Sequence, residues 1–321
     1  MEDTPFNPDE LTAQNLAGGG PRGHVPIRNY MIDQHRQFFA QLPHLFVGVV
    51  DATGWPIATQ LTGRPGFVQS PDPVTLRIAA LPDVHDPAAG AFALARDIGI
   101  LGIDFSTRRR NRANGRIVRR GVGGIDVAVS QSFGNCPQYI QRRNIQPSTL
   151  ASAQAGPRET PSNSVESFAG LDDTARKDIE RADTFFVASH SRTGGGAAFG
   201  ADISHRGGRA GFVRIDGDVL TIPDFRGNRY FNTLGNLSVE PRASLLFIDF
   251  ETGSLLQLRG RAEIDWNGAA ARLFASAERL WRFHVVRGWR RDAASPLRWS
   301  FVDYSERLCK RSAGRASDTG P

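Results

Sequence analysis

Cysteine is scarce: Cys136 and Cys309 are the only two in 321 residues. Two thiols build neither a disulfide framework nor a cysteine metal cluster, and a reducing cytoplasm is the default setting. Apolar runs are short. No stretch of about 18 apolar residues occurs, so no membrane-spanning helix is expected. The N-terminal MEDTPFNPDE is acidic and lacks the apolar segment of a signal peptide. No GxxxxGK[ST], HExxH, GxSxG or CxxC pattern is present, which removes the P-loop, zinc-protease, hydrolase-elbow and dithiol readings. Lysine is nearly missing too, with only Lys177 and Lys310.

Arginine takes lysine's place. The net charge is +6 with 39 basic residues, 37 of them arginine, beside 34 glycines and 19 prolines. A strongly basic chain points first to nucleic acid. The arginine, glycine and proline excess also reads as GC-rich coding. Guanidinium groups not used at the surface suit small anions, which they grip bidentately. At 40% hydrophobic and 22% charged, the composition is that of a globular protein, and the length suits two domains.

A repeat divides the chain. GRPGFV (63–68) returns as GRAGFV (208–213), LGIDFST (101–107) as LFIDFET (246–252), and NGR (114–116) as RGR (259–261), each 145 residues on. One spacing shared by three matches predicts two copies of one unit. Between them, 146–167 is rich in Pro, Ser, Ala and Thr and reads as a linker. The expected organisation is a flexible arm (1–24), a first domain (25–145), the linker, a second domain (168–309) and a frayed tail (310–321).

Each copy reads as mainly β. LFVGVVD (45–51), TFFVASH (184–190), GFVRIDGDVLTI (211–222), ASLLFIDF (243–250) and LLQLRGRAEI (255–264) are β-branched and aromatic, with a turn expected at Gly217. Helices are expected over 32–42 and 171–182, the latter capped by Asp172 or Asp173, and over 86–97, 229–239, 136–143 and 268–281. Many short antiparallel strands with few helices predict a closed or nearly closed barrel in each copy.

Three segments concentrate chemistry. Gly194, Gly195 and Gly196 lack a βαβ context and read as a hairpin turn rather than a dinucleotide loop. Ser204, His205, Arg206 and Arg209 cluster around Gly207 and Gly208, a set suited to a phosphate or to a flavin edge. Asn228, Arg229, Asn232, Thr233 and Asn236 run from a loop into a short helix, where Asn232 and Asn236 share one face and offer an anion site. In the first copy those three asparagines are replaced by Asp83, Pro87 and Ala91. Its hairpin instead carries Arg108, Arg109, Arg110 and Arg112, where the second copy has Gly253, Ser254, Leu255 and Gln257. Cys136, at the start of an expected helix, is a candidate redox thiol or a structural one. His205 is the candidate proton donor, His35 and His44 read as structural, and Trp299 as core or as the flank of a planar ring.

With SHRGGRAGFV, PDFRGNRYFNTLGNLSVEPRASLLF and LQLRGRAEI in sequence, residues 183–265 resemble the pyridoxamine 5′-phosphate oxidase-like, FMN-binding split-barrel flavoproteins. Residues 45–143 resemble a diverged copy, with FGNCPQYI (133–140) similar to the helix after the barrel in that family. Glu240 before Pro241, and RGR in place of NGR, depart from the family's pattern. The resemblance implies tandem split β-barrels and an FMN cofactor lying between them. The second copy would supply Ser204, His205, Arg206, Gly207, Arg209, Asn228, Arg229, Asn232, Thr233 and Asn236, and the first an arginine wall of Arg109, Arg110 and Arg112. It also implies a cytoplasmic oxidoreductase with a small-molecule substrate, an electron donor or acceptor and a homodimer as one arrangement. A polyanion-binding protein and a haem-binding split barrel are the rival readings.

Overall fold

A computed structural model describes residues 4–149, 165–191, 196–268 and 270–308. Gly194, Gly195, Cys309, the expected tail and most of the expected linker lie outside them. The protein is mainly β, built from antiparallel sheets. One seven-stranded path comprises β1 (His44–Val50), β2 (Pro56–Thr62), β3 (Val68–Asp72), β4 (Thr75–Ile78), β5 (Asp97–Asp104), β6 (Arg109–Gly121) and β7 (Gly124–Gly134). They lie in the spatial order β2-β1-β5-β6-β7-β4-β3. After β8 (Arg142–Ile145) and β9 (Glu166–Ala169) comes a second path: β10 (Thr184–His190), β11 (Ala201–Gly207), β12 (Arg214–Asp216), β13 (Val219–Phe225), β14 (Arg242–Ile248), β15 (Leu255–Asp265) and β16 (Ala277–Arg291). Its order, β11-β10-β14-β15-β16-β13-β12, is that of the first path strand for strand, and β9 is added on β16. The 145-residue spacing holds from β2 to β6. It falls to 140 for β1 against β10, because five more residues separate β10 from β11 than β1 from β2.

The first strand of each path is buried along its whole length, save only for His190 at the end of β10, and side-chain alternation explains why. Leu45, Val47 and Val49 enter the core inside the first sheet, while Phe46 points the other way. Phe185 and Val187 enter the second sheet's core, while Phe186 and Ala188 point away. The outward residues form a third core between the sheets, to which equivalent positions of both contribute: Leu101 and Leu246, Ile103 and Ile248, and Phe105 and Phe250, the last two with ring centroids 5.2 Å apart. Phe46 and Phe186, each third in its strand, stack with ring centroids 3.5 Å apart. Around this seam β11 lies against β1 and β5, and β2 against β10 and β14. β17 (Trp299–Asp303) pairs with β8 and seats Trp299 in the same core.

Helices α2 (Asp33–Gln41) and α3 (Asp173–Arg181) precede the first strands, and Asp172 caps α3 through the Ala175 N–H. Helix α4 (Asn232–Val239) lies within the expected 229–239, and Gly217 has the expected positive φ of 55°. Four expectations fail. The arm carries α1 (Pro8–Leu16), opened by a capping box of Asn7 and Glu10 and packed on α4. Residues 86–97 hold only a 3-10 turn at Ala89–Ala91. Residues 136–143 are not helical: Pro137 disfavours a helical Cys136, Tyr139 is left-handed at φ 65°, and β8 has begun by Arg142. Residues 268–281 give a 3-10 turn at Ala270–Leu273 and then β16, where buried Trp281, Phe283 and Val285 alternate with exposed Arg282, His284 and Val286. That period of two, paired along β15, overrides helix propensity. Among the described residues no helix is long and apolar enough to cross a membrane.

Candidate functional site

Strand alternation sorts the four arginines of the β6 hairpin. Arg110 and Arg112 point inward, into a pocket of about 900 Å³ of empty space, part of it open to solvent. Arg109 points the other way and lies over the Phe38 ring. Arg108, at φ 58° in the turn, pairs with Asp303 and donates to the Ile140 carbonyl. The opposite wall belongs to the second sheet: Ser204, His205, Arg206 and Gly207 from β11, and Asn228, Arg229, Asn232 and Thr233 from the β13–α4 connection. The pocket thus joins residues from both repeats.

At its floor, buried Arg112 donates to Ser204 Oγ, to Asp202 Oδ1 (3.3 Å) and to Asn232 Oδ1 (3.4 Å). Ser204 and Thr233 share a hydroxyl hydrogen bond of 2.8 Å. Asp202 is the hub beneath: it also accepts from Asn114 Nδ2 (2.6 Å) and Asn236 Nδ2 (2.9 Å). Burial pulls Arg112 down to about 10, with Asp202 resisting. Glu10 of α1 reaches the same floor, accepting from Asn232 Nδ2 at 2.5 Å. Burial, seconded by the Asp202 charge, pushes Glu10 up to about 8.

Higher in the pocket, Arg110 donates to the Cys136 carbonyl (3.0 Å) and approaches His205 Nδ1 (3.3 Å). No carboxylate pairs with Arg110 among the described residues. Guanidinium cannot accept, so Nδ1 accepts and the His205 proton sits on Nε2. Burial, with Arg110, Arg143 and Arg206 nearby, holds His205 well below its ordinary range, hence neutral. Asp224 sits between Arg206 and Arg279, at 2.5 Å from each. Tyr139 stacks on Phe225 at 5.2 Å, giving one flat aromatic wall. Five buried polar atoms of lining residues have no partner among the described residues: Arg112 Nε, Asn135 Oδ1, His205 Nε2, Arg206 Nε and Arg229 Nε. Native interiors rarely leave such atoms unsatisfied.

Three expected site residues lie elsewhere. Arg109 is on the wrong face of β6. Arg209 lies over the Tyr304 ring. Asn236 is one turn behind the pocket, bonded to Ser189 and Asp202. Cys136 lines the pocket but opens no helix; Arg110 Nη2 stands 4.0 Å from its sulfur. Trp299 is buried in the inter-sheet core, away from the pocket. Sequence reasoning missed Asp202, Glu10, Asp224 with Arg279, and the Tyr139–Phe225 wall. Asp202 was within reach, being two residues before Ser204 on one strand and so on its face. Nothing local marks Glu10.

No family model matches the chain, and no curated protein matches it. Solved structures give likenesses of low score. HupZ of Group A Streptococcus is 16% identical over 37% of this chain and 94% of its own, with a TM-score of 0.29. A protein of the pyridoxinephosphate oxidase family related to general stress protein 26, from Clostridium acetobutylicum, is 14% identical over 40% of this chain and 92% of its own, with a TM-score of 0.26. HutZ, a haem storage protein from Vibrio cholerae, is 13% identical over 38% of this chain and 94% of its own, with a TM-score of 0.27.

Proposed function

We propose that the chain is two fused copies of a split-barrel unit that bind one FMN in the pocket between them, and that it works in the cytoplasm as an oxidoreductase. The observation that carries this reading is the set of guanidiniums from both repeats that face one cavity, in which Arg110 has no carboxylate partner among the described residues and Arg112, Arg206 and Arg229 each keep an unpartnered Nε. Arg110, Arg112, Arg206, Arg229 and Arg279 line it with Asp224 and Glu278, and Asp202 lies beneath against Arg112, so five guanidiniums face three carboxylates. That imbalance favours an anion, and a phosphate accepts from the forked donors of several guanidiniums at once.

The residues fit such a ligand. Arg110, Arg112, Ser204 and Thr233 would hold the phosphate. Tyr139 and Phe225 would flank the ring system. His205 would donate its Nε2 proton to a ring acceptor and, being neutral, would add no charge there. A bound flavin supplies two-electron transfer; the chain supplies orientation, charge balance and shelter from water. The haem reading meets an obstacle in His205, since the lone pair not needed by the proton is taken by Arg110. The polyanion reading is weakened by the hairpin itself: Arg108 and Arg112 are ion-paired and Arg109 is stacked.

The test is a spectrum of the purified protein followed by titration with FMN. A yellow protein with the flavin visible band, or saturable quenching of added FMN, is the expected result. Arg110→Ala should weaken binding about 10- to 100-fold, the cost of about 1.5–3 kcal/mol for a charged hydrogen bond, and Arg109→Ala should leave it unchanged. A Soret band, or equal affinities for the two variants, would refute the assignment.

A further inference from the structure

The two sheets repeat one another, so the pocket has a counterpart on the opposite side of the seam. Moving back 145 residues turns Ser204 into Thr59, Phe231 into Asp86 and Thr233 into Ala88; moving forward turns Arg112 into Gln257. Asn135, whose N–H meets the Arg110 carbonyl across the β6–β7 end, corresponds to Arg291, which pairs with Leu255 across β15–β16. All five originals line the pocket. Their counterparts also come together, but around a side chain instead of a cavity. The Asp86 carboxylate accepts from Thr59 Oγ1, the Ala88 N–H (2.8 Å), Gln257 Nε2 (3.1 Å) and Arg291 Nη2. Asp86, Thr59, Gln257 and Arg291 are all buried.

We infer that this second position is an anion site sealed from within by Asp86, so that each chain holds one ligand and not two. The inference rests on the equivalence of the two sheets and borrows from the proposed function only the identity of the probe. Its logic is charge and shape. On the pocket side, the position equivalent to Asp86 is Phe231, and the cations Arg110 and Arg112 are left facing a cavity. On the sealed side those arginines become Leu255 and Gln257, a single cation enters from the neighbouring strand as Arg291, and one carboxylate neutralises it. A hydroxyl, a backbone N–H, an amide and a guanidinium converge on one carboxylate, which takes the place a ligand anion would need, while Arg291 Nε and Gln257 Oε1 stay unpartnered beside it.

Equilibrium binding decides it, with FMN and inorganic phosphate as separate probes, on the wild type, Asp86→Ala and Asp86→Asn, each checked for fold by circular dichroism and gel filtration. The wild type should saturate at one FMN per chain. Asp86→Ala, which vacates the donors, should gain one phosphate site over the wild type, at least tenfold tighter than any extra site in Asp86→Asn, whose amide still fills the space. Two FMN per wild-type chain would overturn the inference. So would a folded Asp86→Ala whose phosphate stoichiometry equals that of the wild type. If Asp86→Ala does not fold, Asp86→Ser takes its place under the same criterion. A wild type that binds no FMN, beside an alanine variant that gains a phosphate, would sink the flavin reading and leave this one standing.

Discussion

At the scale of single residues, the site is held by a few buried charges whose balance depends on pH. Glu10 is the clearest. Its ordinary value of 4.5 rises to about 8 in the fold, chiefly through burial and then through Asp202. The folded state therefore holds its proton longer than the unfolded chain does. Stability from this group is full below about 4.5 and is lost as pH climbs through about 8, by at most about 5 kcal/mol at ~1.4 kcal/mol per pH unit. Glu10→Gln should flatten the dependence of the melting temperature on pH between those limits and raise it most near pH 8. An unaltered pH profile would refute the role. The sequence made the pocket's donors legible because serine, arginine and asparagine crowd into two short segments. It hid Glu10, because residues 1–24 read as a flexible arm with no site chemistry of their own. Its partner Asn232 lies more than two hundred residues away.

Among the elements, α1 and α4 form one unit. Gly235 sits where they touch: a Cβ built there would stand 2.7 Å from the Glu10 Cα and 2.9 Å from its N. Gly235→Ala should push α1 off α4 at a cost of about 1–3 kcal/mol. Limited proteolysis should then cut between residues 17 and 24 faster than in the wild type, and equal cutting rates would show that α1 has slack. The elements read correctly were those whose own pattern agrees with their packing. The FFVAS and LLFI runs are buried on both faces, and Asp172 caps its helix from the position it occupies in sequence. The misread ones were decided at a distance. AERLWRFHVVRGW carries helix formers, but its Trp281, Phe283 and Val285 alternate toward the second core and its backbone pairs along β15. CPQYI was read as helical from its own pattern and from a family likeness, and Pro137 with the left-handed Tyr139 ends both readings.

For the molecule as a whole, the decisive feature is the seam where like meets like. The 145-residue spacing in the sequence announced a repeat, and the strand orders of the two sheets agree with it. How the sheets face one another was not legible, since no pattern within either copy says which face of LFVGVV or TFFVAS meets the other. Phe46 and Phe186 test that arrangement. Either alanine substitution should cost about 3–5 kcal/mol. The pair together should cost less than the sum by about 0.5–3 kcal/mol in a urea-unfolding cycle, because both remove one contact. Strict additivity, or two separate unfolding transitions, would mean that the halves do not depend on one another. The small β8–β17 sheet adds a consequence of its own. It fastens the segment that leaves the first sheet to the one that leaves the second, directly over the shared aromatic core. The halves are thus joined by more than the peptide link between them. Two fragments made apart carry in these strands the means to find each other.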